Sequence, residues 1–399
     1  MDQEPVVADS PRVFLLTFGP GAAVWERFGH NALWIHDPVA GTDIAYHYGL
    51  FDMSEEGFLL EFLRGRMSYA MGSADALRLV DAYRHDGRST TIQELAIPAA
   101  GVKAMQEFLE WNLRPENRVY RYDYFRDNCS TRIRDVLDGA LEGTLSAALR
   151  ARATPITWRA EALALTAEDE LLTAGMDLGL GPLADRDISR WELAFIPMRL
   201  RDDIRALTVE RGEARVPLVV MERELPAAGA ADESLAVPGG AIDARVAWML
   251  LLGLLGAALF AALGWLATQG REAGPARRVA RWTLAVAGSF WGLLAGVLGL
   301  ILLALWTLTD HEFAHANENL FQVNPLALAL AVLVPLAVAG RATRAAFITA
   351  GVLAALSAVG ALLHPLPLTP QDNLAVIALA FPVHLGLLYA LSRLPRRGG

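Results

Sequence analysis

YRYDYFRDNCSTRIRD, residues 120–135, holds Cys129, the one cysteine of the chain. The aromatic and charged run Tyr120–Arg126 leads into it, and Asn128 immediately precedes it. Residues 130–137 read as a helix, because Ile133, Val136 and Leu137 share one face at i, i+3, i+4. Cys129 therefore falls at or just before a helix N-terminus. There the partial positive charge favours a thiolate, and unpaired N–H groups can hold an oxyanion. The alternative is an inert buried cysteine. The polar neighbours Asp127, Asn128, Ser130 and Thr131 favour a chemical role over that one.

Working outward, the composition divides the chain. It is 399 residues long and 54% hydrophobic, with the apolar excess after Arg245. Residues 245–399 contain ten arginines against five acids, so with a total charge of −9 the preceding residues carry −14. An acidic front region argues against nucleic-acid binding. A single cysteine excludes an intramolecular disulfide framework and leaves the redox compartment open. Lys103 is the only lysine and lies on an amphipathic helix over 98–113, which argues against a catalytic lysine.

Before the cysteine, strands are expected at 12–18, 31–36 and 43–48, the last two as a hairpin turning at Gly41-Thr42. Helices are expected at 55–64 and 75–85, a strand at 89–97, a helix from Pro98 and a strand at 118–122. Ala-rich helical sequence fills 141–207, and a last strand spans 216–225. Residues 1–10 read as a polar arm with neither the basic start nor the apolar core of a signal peptide. Residues 226–240 read as a linker, giving an α+β domain over 1–240 and an all-α membrane domain over 241–399. Five spans are expected in the latter, at 247–267, 282–308, 326–339, 345–363 and 374–391. The third is short and contains Pro335. Arg271, Arg277, Arg278, Arg281, Arg341, Arg344, Arg393, Arg396 and Arg397 lie in alternate connections and at the C-terminus. The positive-inside rule makes those cytoplasmic and places the front domain outside. An exported domain of this size needs a targeting signal, and residues 1–10 do not supply one.

A thiol nucleophile needs a base and a group that orients the base. Of the eight histidines, His30 and His47 fall on adjacent antiparallel strands and can share a face, as base and orienter. No close-spaced pair such as HxH or HExxH is present, so a metal site is not expected.

The segments RFGHNALWI (27–35), YHYGLFD (46–52), PENRVYRYDYFRDNCSTRIRD (115–135) and TDHEFAHANENLFQVNPL (309–326) resemble the Lnb-type bacterial lipoprotein N-acyltransferases. The resemblance implies a permuted papain-like periplasmic domain followed by a bundle of membrane helices in the bacterial inner membrane. His30 matches that family's early histidine and Cys129 its nucleophile. His47 stands in a segment where related sequences often carry Asn; either can orient an imidazole. The implied reaction moves an acyl chain from a phospholipid, through a Cys129 thioester, to the N-terminal amine of a lipoprotein, without a cofactor. Asn31, Tyr124, Asp127 and Asn128 are the candidate substrate contacts around the cysteine. In the outer loop, Asp310, His311 and Asn317 are candidates for positioning the headgroup or the amine. Two other readings share these residues: a phospholipase or thiol hydrolase, and a membrane-anchored binding module without activity.

Overall fold

The computed structural model describes residues 10–211, 214–228, 241–269, 274–366 and 371–395. The arm before Ser10, most of the linker, Arg271, Arg396 and Arg397 lie outside the described residues. The chain divides into two compact units, Met1–Glu168 with Asp187–Ala236, and Asp169–Arg186 with Val237–Gly399.

Antiparallel pairing organises the first unit. Its strands are β1 (Arg12–Phe18), β2 (His30–Asp37), β3 (Thr42–Leu50), β4 (Ser68–Asp75), β5 (Thr90–Leu95), β6 (Val119–Arg121), β7 (Ala153–Thr157), β8 (Asp187–Ser189), β9 (Thr208–Arg211), β10 (Ala214–Pro217) and β11 (Val219–Leu225). Seven form one sheet in the order β11-β5-β1-β2-β3-β4-β6; β7 pairs with β8 and β9 with β10. The helices are α1 (Phe58–Arg64), α2 (Ala76–His85), α3 (Ala99–Leu113), α4 (Cys129–Ala140), α5 (Thr144–Arg150), α6 (Trp158–Thr166), α8 (Arg190–Leu193) and α9 (Pro197–Arg205), with α7 (Glu170–Gly179) belonging to the second unit.

The sheet is apolar on both faces because helices cover both. Val13, Leu15, Leu33, Ile35, Tyr46 and Tyr48 pack with α3, α4 and α9. The alternate residues Phe14, Leu16, Phe18, Ala32 and Ala45 pack with Ala76 and Val80 of α2. Continuous burial on β1 follows from this central position. Strand β4 is an element not expected from the sequence. SYAMGSAD has no β-branched residue and gives little strand signal, yet Tyr69 and Met71 are buried in the core. The region expected to be helical throughout 141–207 is broken into short helices and the β7–β8 pair.

In the second unit, α10 (Ala241–Leu266), α11 (Pro275–Leu308), α13 (Thr343–Leu363) and α14 (Leu374–Arg393) are long and apolar enough to cross a membrane. The expected third span is α12 (Leu328–Val338), 11 residues long; it is shorter than a bilayer needs. It belongs to a bent pair, Glu312–Phe321 and Pro325–Val338, that turns by 48°. Helix polarity shows that this segment traverses the bundle. Gly253, Gly256 and Gly264 of α10 meet Ala378, Val383 and Ala390 of α14 in the same order, so α10 and α14 are parallel. Gly288, Gly292, Gly296 and Gly299 of α11 meet Val334, Leu330, Leu328 and Asn324 in reverse order, so α12 runs back along α11. Arg281, near the start of α11, donates to the Val338 carbonyl at the end of α12. A segment that returned to its starting side would have made α14 antiparallel to α10. With the bent pair counted as one span, the described residues hold five membrane-capable segments, and these helix directions fit that count. The packing rests on small residues, which let helix backbones approach where lipid offers no hydrophobic drive.

Helix α7 is fixed to the loop between α11 and α12. Asn317 Nδ2 donates to the carbonyls of Leu178, Gly179 and Leu180 at 2.9, 3.0 and 3.3 Å. Asn319 adds a bond to Leu178, and Arg245 of α10 pairs with the buried Asp177 at 3.1 Å. Asn317 is 2% exposed. Asn317, expected to position substrate, has its amide spent on capping a helix end. Asn317→Ala is expected to destabilise the second unit by about 2–3 kcal/mol, the cost of orphaned carbonyls. The check is thermal unfolding in detergent alongside Cys129 alkylation, which should be unchanged.

Candidate active site

Cys129 is the first residue of α4, and Asn128 caps that helix. The Asn128 side-chain oxygen accepts from the N–H groups of Ser130 and Thr131 at 2.9 Å each. Its Nδ2 donates to the carbonyls of Tyr124 and Phe195, both at 2.9 Å. Thr131 Oγ1 accepts from the Asn128 N–H at 2.7 Å, completing a capping box. Every hydrogen-bonding position of Asn128 is therefore spent on holding the cysteine turn. Asp127 is held too, gripped by Arg132 through Nε and Nη2, with the guanidinium 4.0 Å over Tyr120.

His30 opens β2 after Gly29, whose φ of +79° suits glycine and whose Cβ would meet the Phe18 carbonyl at 2.9 Å. In the β2–β3 ladder Ala32 faces His47. His30, two residues earlier on β2, is thus a diagonal neighbour of His47 on the same face. The pair meets: His30 Nε2 lies 3.1 Å from His47 Nδ1, with the rings nearly perpendicular. Tyr83 of α2 lies parallel to His30 at 5.8 Å and is itself stacked on Phe18 at 3.8 Å. On β3, Gly49 (φ +92°) brings its backbone against the cysteine, where an added Cβ would sit 3.4 Å from Cys129 Cβ. The backbone N–H groups of Asn31, next to His30, of Ser130 and of Cys129 itself each favour the charged form of the thiol.

The Asn31 side chain itself is fully buried, 2.9 Å from Thr17 Oγ1 and 3.1 Å from Ser130 Oγ. The side chains of Asn31 and Asn128, expected to touch substrate, instead weld β2 to α4 and fix the cysteine turn. Tyr124 is 39% exposed and packs edge-on against Tyr122. Asp310 and His311 are half-buried and belong to the second compact unit, whereas Cys129, His30 and His47 belong to the first.

Burial controls the protonation states. Both imidazoles are held neutral: desolvation, with His47 and Arg88 nearby, pushes His30 well below its usual range, and desolvation takes His47 to about 4. Burial pushes the Cys129 thiol up to about 11, against the pull of the Asn31 and Ser130 N–H groups and of Arg88. Burial works against the thiolate expected at a helix N-terminus, since desolvation opposes the fractional helix charge. Desolvation thus favours the neutral forms of the thiol and of both imidazoles. Among the described residues no group of three or more His, Cys, Asp or Glu side chains is arranged to hold a metal ion.

Arg88 was not legible in the sequence as a site residue. It is 4% exposed, donates through Nε to the Gly19 carbonyl at 2.8 Å, and stacks 4.6 Å over Tyr83. Its Nη2 has no hydrogen-bond acceptor among the described residues. Its charge acts on both Cys129 and His30. Arg88→Met is expected to move the alkylation profile of Cys129 further alkaline, slowing the reaction about tenfold at fixed pH, one unit of thiol pKa. Arg88→Lys should restore part of the rate.

A mixed α/β domain carrying a His30–His47 pair and a cysteine that begins a helix, in one chain with membrane-capable helices, defines a membrane protein with a folded N-terminal domain. The profile described as Lnb N-terminal periplasmic domain matches residues 3–163, and that described as Lnb transmembrane domain matches residues 277–393. The chain belongs to the Lnb family, in which a periplasmic domain precedes a transmembrane domain. No curated protein and no solved structure matches the chain.

Proposed function

We propose that this protein is a membrane-bound acyltransferase that carries an acyl chain on Cys129 from a phospholipid to the N-terminal amine of a lipoprotein. The observation that carries the reading is a helix that begins at Cys129 with the N–H of Asn31, the residue after His30, among the backbone donors acting on the thiol, and with His30 itself in contact with His47. The thiol attacks the ester carbonyl while His30 takes its proton, and the N–H groups receive the oxyanion. Collapse breaks the ester bond; the proton passes from His30 to the departing lysophospholipid oxygen, leaving a thioester. The lipoprotein amine then attacks the thioester, gives a proton to His30, and releases the thiol. Since thiol and imidazole are both neutral at rest, proton transfer accompanies attack rather than preceding it.

The arginines Arg277, Arg278, Arg281, Arg341, Arg344 and Arg393, with five membrane-capable segments, support an inner-membrane protein with a periplasmic N-terminal domain and a cytoplasmic C-terminus. Intact-mass measurement after exposure to phospholipid tests the reaction. An acyl mass on Cys129, discharged faster by a diacylated lipopeptide with a free amine than by buffer alone, is the expected result. Discharge at one rate with or without the amine would make the protein a hydrolase, and no adduct at all would leave a binding module. His47 keeps the His30 ring in its productive tautomer. His47→Asn is therefore expected to retain activity within about tenfold, whereas His47→Ala loses roughly 10²-fold or more. Equal losses in the two variants would remove His47 from the catalytic group.

A further inference from the structure

Helix α1 is apolar on the side that faces away from its own domain. Phe58 and Phe62 pack inward, while Leu59, Leu60 and Leu63 are 67, 50 and 57% exposed. Its charged pair Glu61 and Arg64 is joined at 2.9 Å. Gly57 and Gly65, both at positive φ, set the helix off at its two ends. Trp25 and Met53 are likewise exposed. Contiguous exposed apolar groups of this kind mark a binding surface.

What distinguishes this patch is what it is continuous with. Phe51 stacks on Phe58 at 5.8 Å, meets Trp25 edge-on at 6.0 Å, and stacks on Tyr69 at 4.9 Å. Tyr69 in turn stacks on Tyr122 at 4.2 Å. Phe51, Tyr122 and Cys129 pack against the same core. The stacked rings of Phe58, Phe51, Tyr69 and Tyr122 thus run from α1 into the core against which Cys129 also packs. The same chain contains membrane-capable helices, so this unit is tethered to a segment that can enter a bilayer.

We propose that the outward face of α1, with Trp25 and Met53, docks into the interfacial region of a phospholipid bilayer, and that the aromatic wall conducts an acyl chain from it toward Cys129. Leucines and an indole on a short helix suit the boundary between headgroups and acyl chains. Asp52, Glu55 and Glu56 in the preceding turn suit the ammonium groups of phosphatidylethanolamine over an anionic surface. The proposal rests on the reading of a lipid substrate, but docking itself is measurable without turnover.

The test uses the full-length chain. With Cys129→Ala the only other cysteine is one introduced, so Leu59→Cys can be labelled with an environment-sensitive fluorophore. Reconstitution uses phosphatidylcholine–phosphatidylethanolamine vesicles whose acyl chains are brominated near the ester. Emission at position 59 is expected to fall to about half of its value in unbrominated vesicles, for insertion at the headgroup–acyl boundary. A label at Leu77→Cys, another exposed leucine on α2 outside the wall, should be unaffected. In the chain with Cys129 intact, Leu59→Glu with Leu60→Glu and Leu63→Glu should raise the KM for vesicle lipid about tenfold, leaving turnover of a soluble short-chain thioester unchanged. Equal emission in the two vesicle types at position 59, equal quenching at 59 and 77, or an unchanged KM overturns the proposal. If no lipid is turned over at all, the fluorescence result still decides docking, so a failure of the reaction is distinguishable from a failure of the surface.

Discussion

Cys129→Ala is expected to abolish the acyl adduct and to reduce transfer by roughly 10⁴-fold or more, to background. The fold should survive, because the thiol makes no bond on which α4 depends: the cap belongs to Asn128 and Thr131. Cys129→Ser should fail almost as completely, since its hydroxyl is a far weaker acid beside the same neutral imidazole. Substantial turnover by a well-folded Cys129→Ala protein would end the thioester mechanism. The protonation states add a second signature. With the thiol near 11 and both imidazoles neutral, alkylation without lipid should climb with pH throughout the neutral range. A plateau between about pH 5 and 8, the mark of a preformed thiolate–imidazolium pair, would contradict this. The acid side follows from the histidines. His30 works as a base only while neutral, so activity should persist below pH 6.5 and fall as pH drops through its depressed value. Stability moves in the same direction. Below about pH 6.5 the unfolded chain binds protons at His30 and His47 that the folded chain refuses, each up to about 1.4 kcal/mol per pH unit.

Gly299→Leu in α11 is expected to disrupt the helical unit outright. Even a Cβ there would lie 2.6 Å from the Asn324 carbonyl carbon and 2.7 Å from both Asn324 Cα and Pro325 N. These are backbone atoms at the start of the returning segment, so no rotamer change can make room. Gly292 is similar, with the Ala327 carbonyl oxygen at 2.8 Å and Ala331 N at 2.9 Å. Overpacking that only side chains absorb costs about 1–3 kcal/mol; separating two backbones should exceed that. Thermal unfolding in detergent and the monodisperse fraction on size exclusion are the measurements. Gly139 on α4, where an added Cβ meets nothing within 4 Å, is the control, and Gly139→Ala should leave the unfolding midpoint nearly unchanged. A Gly299→Leu protein that unfolds like the parent would mean that α12 does not lie along α11.

Much of this was readable from residue order alone. Cys129 as the first residue of a helix, the β2–β3 hairpin that sets His30 and His47 on one face, and the apolar runs of the second half are all local patterns, and local periodicity reports them. The sequence also carried enough specific segments to suggest the family. Tertiary structure decided the rest. Strand β4 exists because its neighbours and the core accept Tyr69 and Met71, not because SYAMGSAD prefers to be extended. The third membrane segment counts as a traverse because glycines on α11 order its contacts, whereas its 11 residues argue against it. Asn31, Asn128 and Asn317 read as polar groups available to a substrate, and the fold spends all three on backbone and hydroxyl partners. Arg88 became a site residue only when α2 and the Gly19 carbonyl placed it near the cysteine. The burial that opposes the thiolate was not legible for the same reason: a helix N-terminus is visible in sequence, but desolvation depends on residues far apart in the chain.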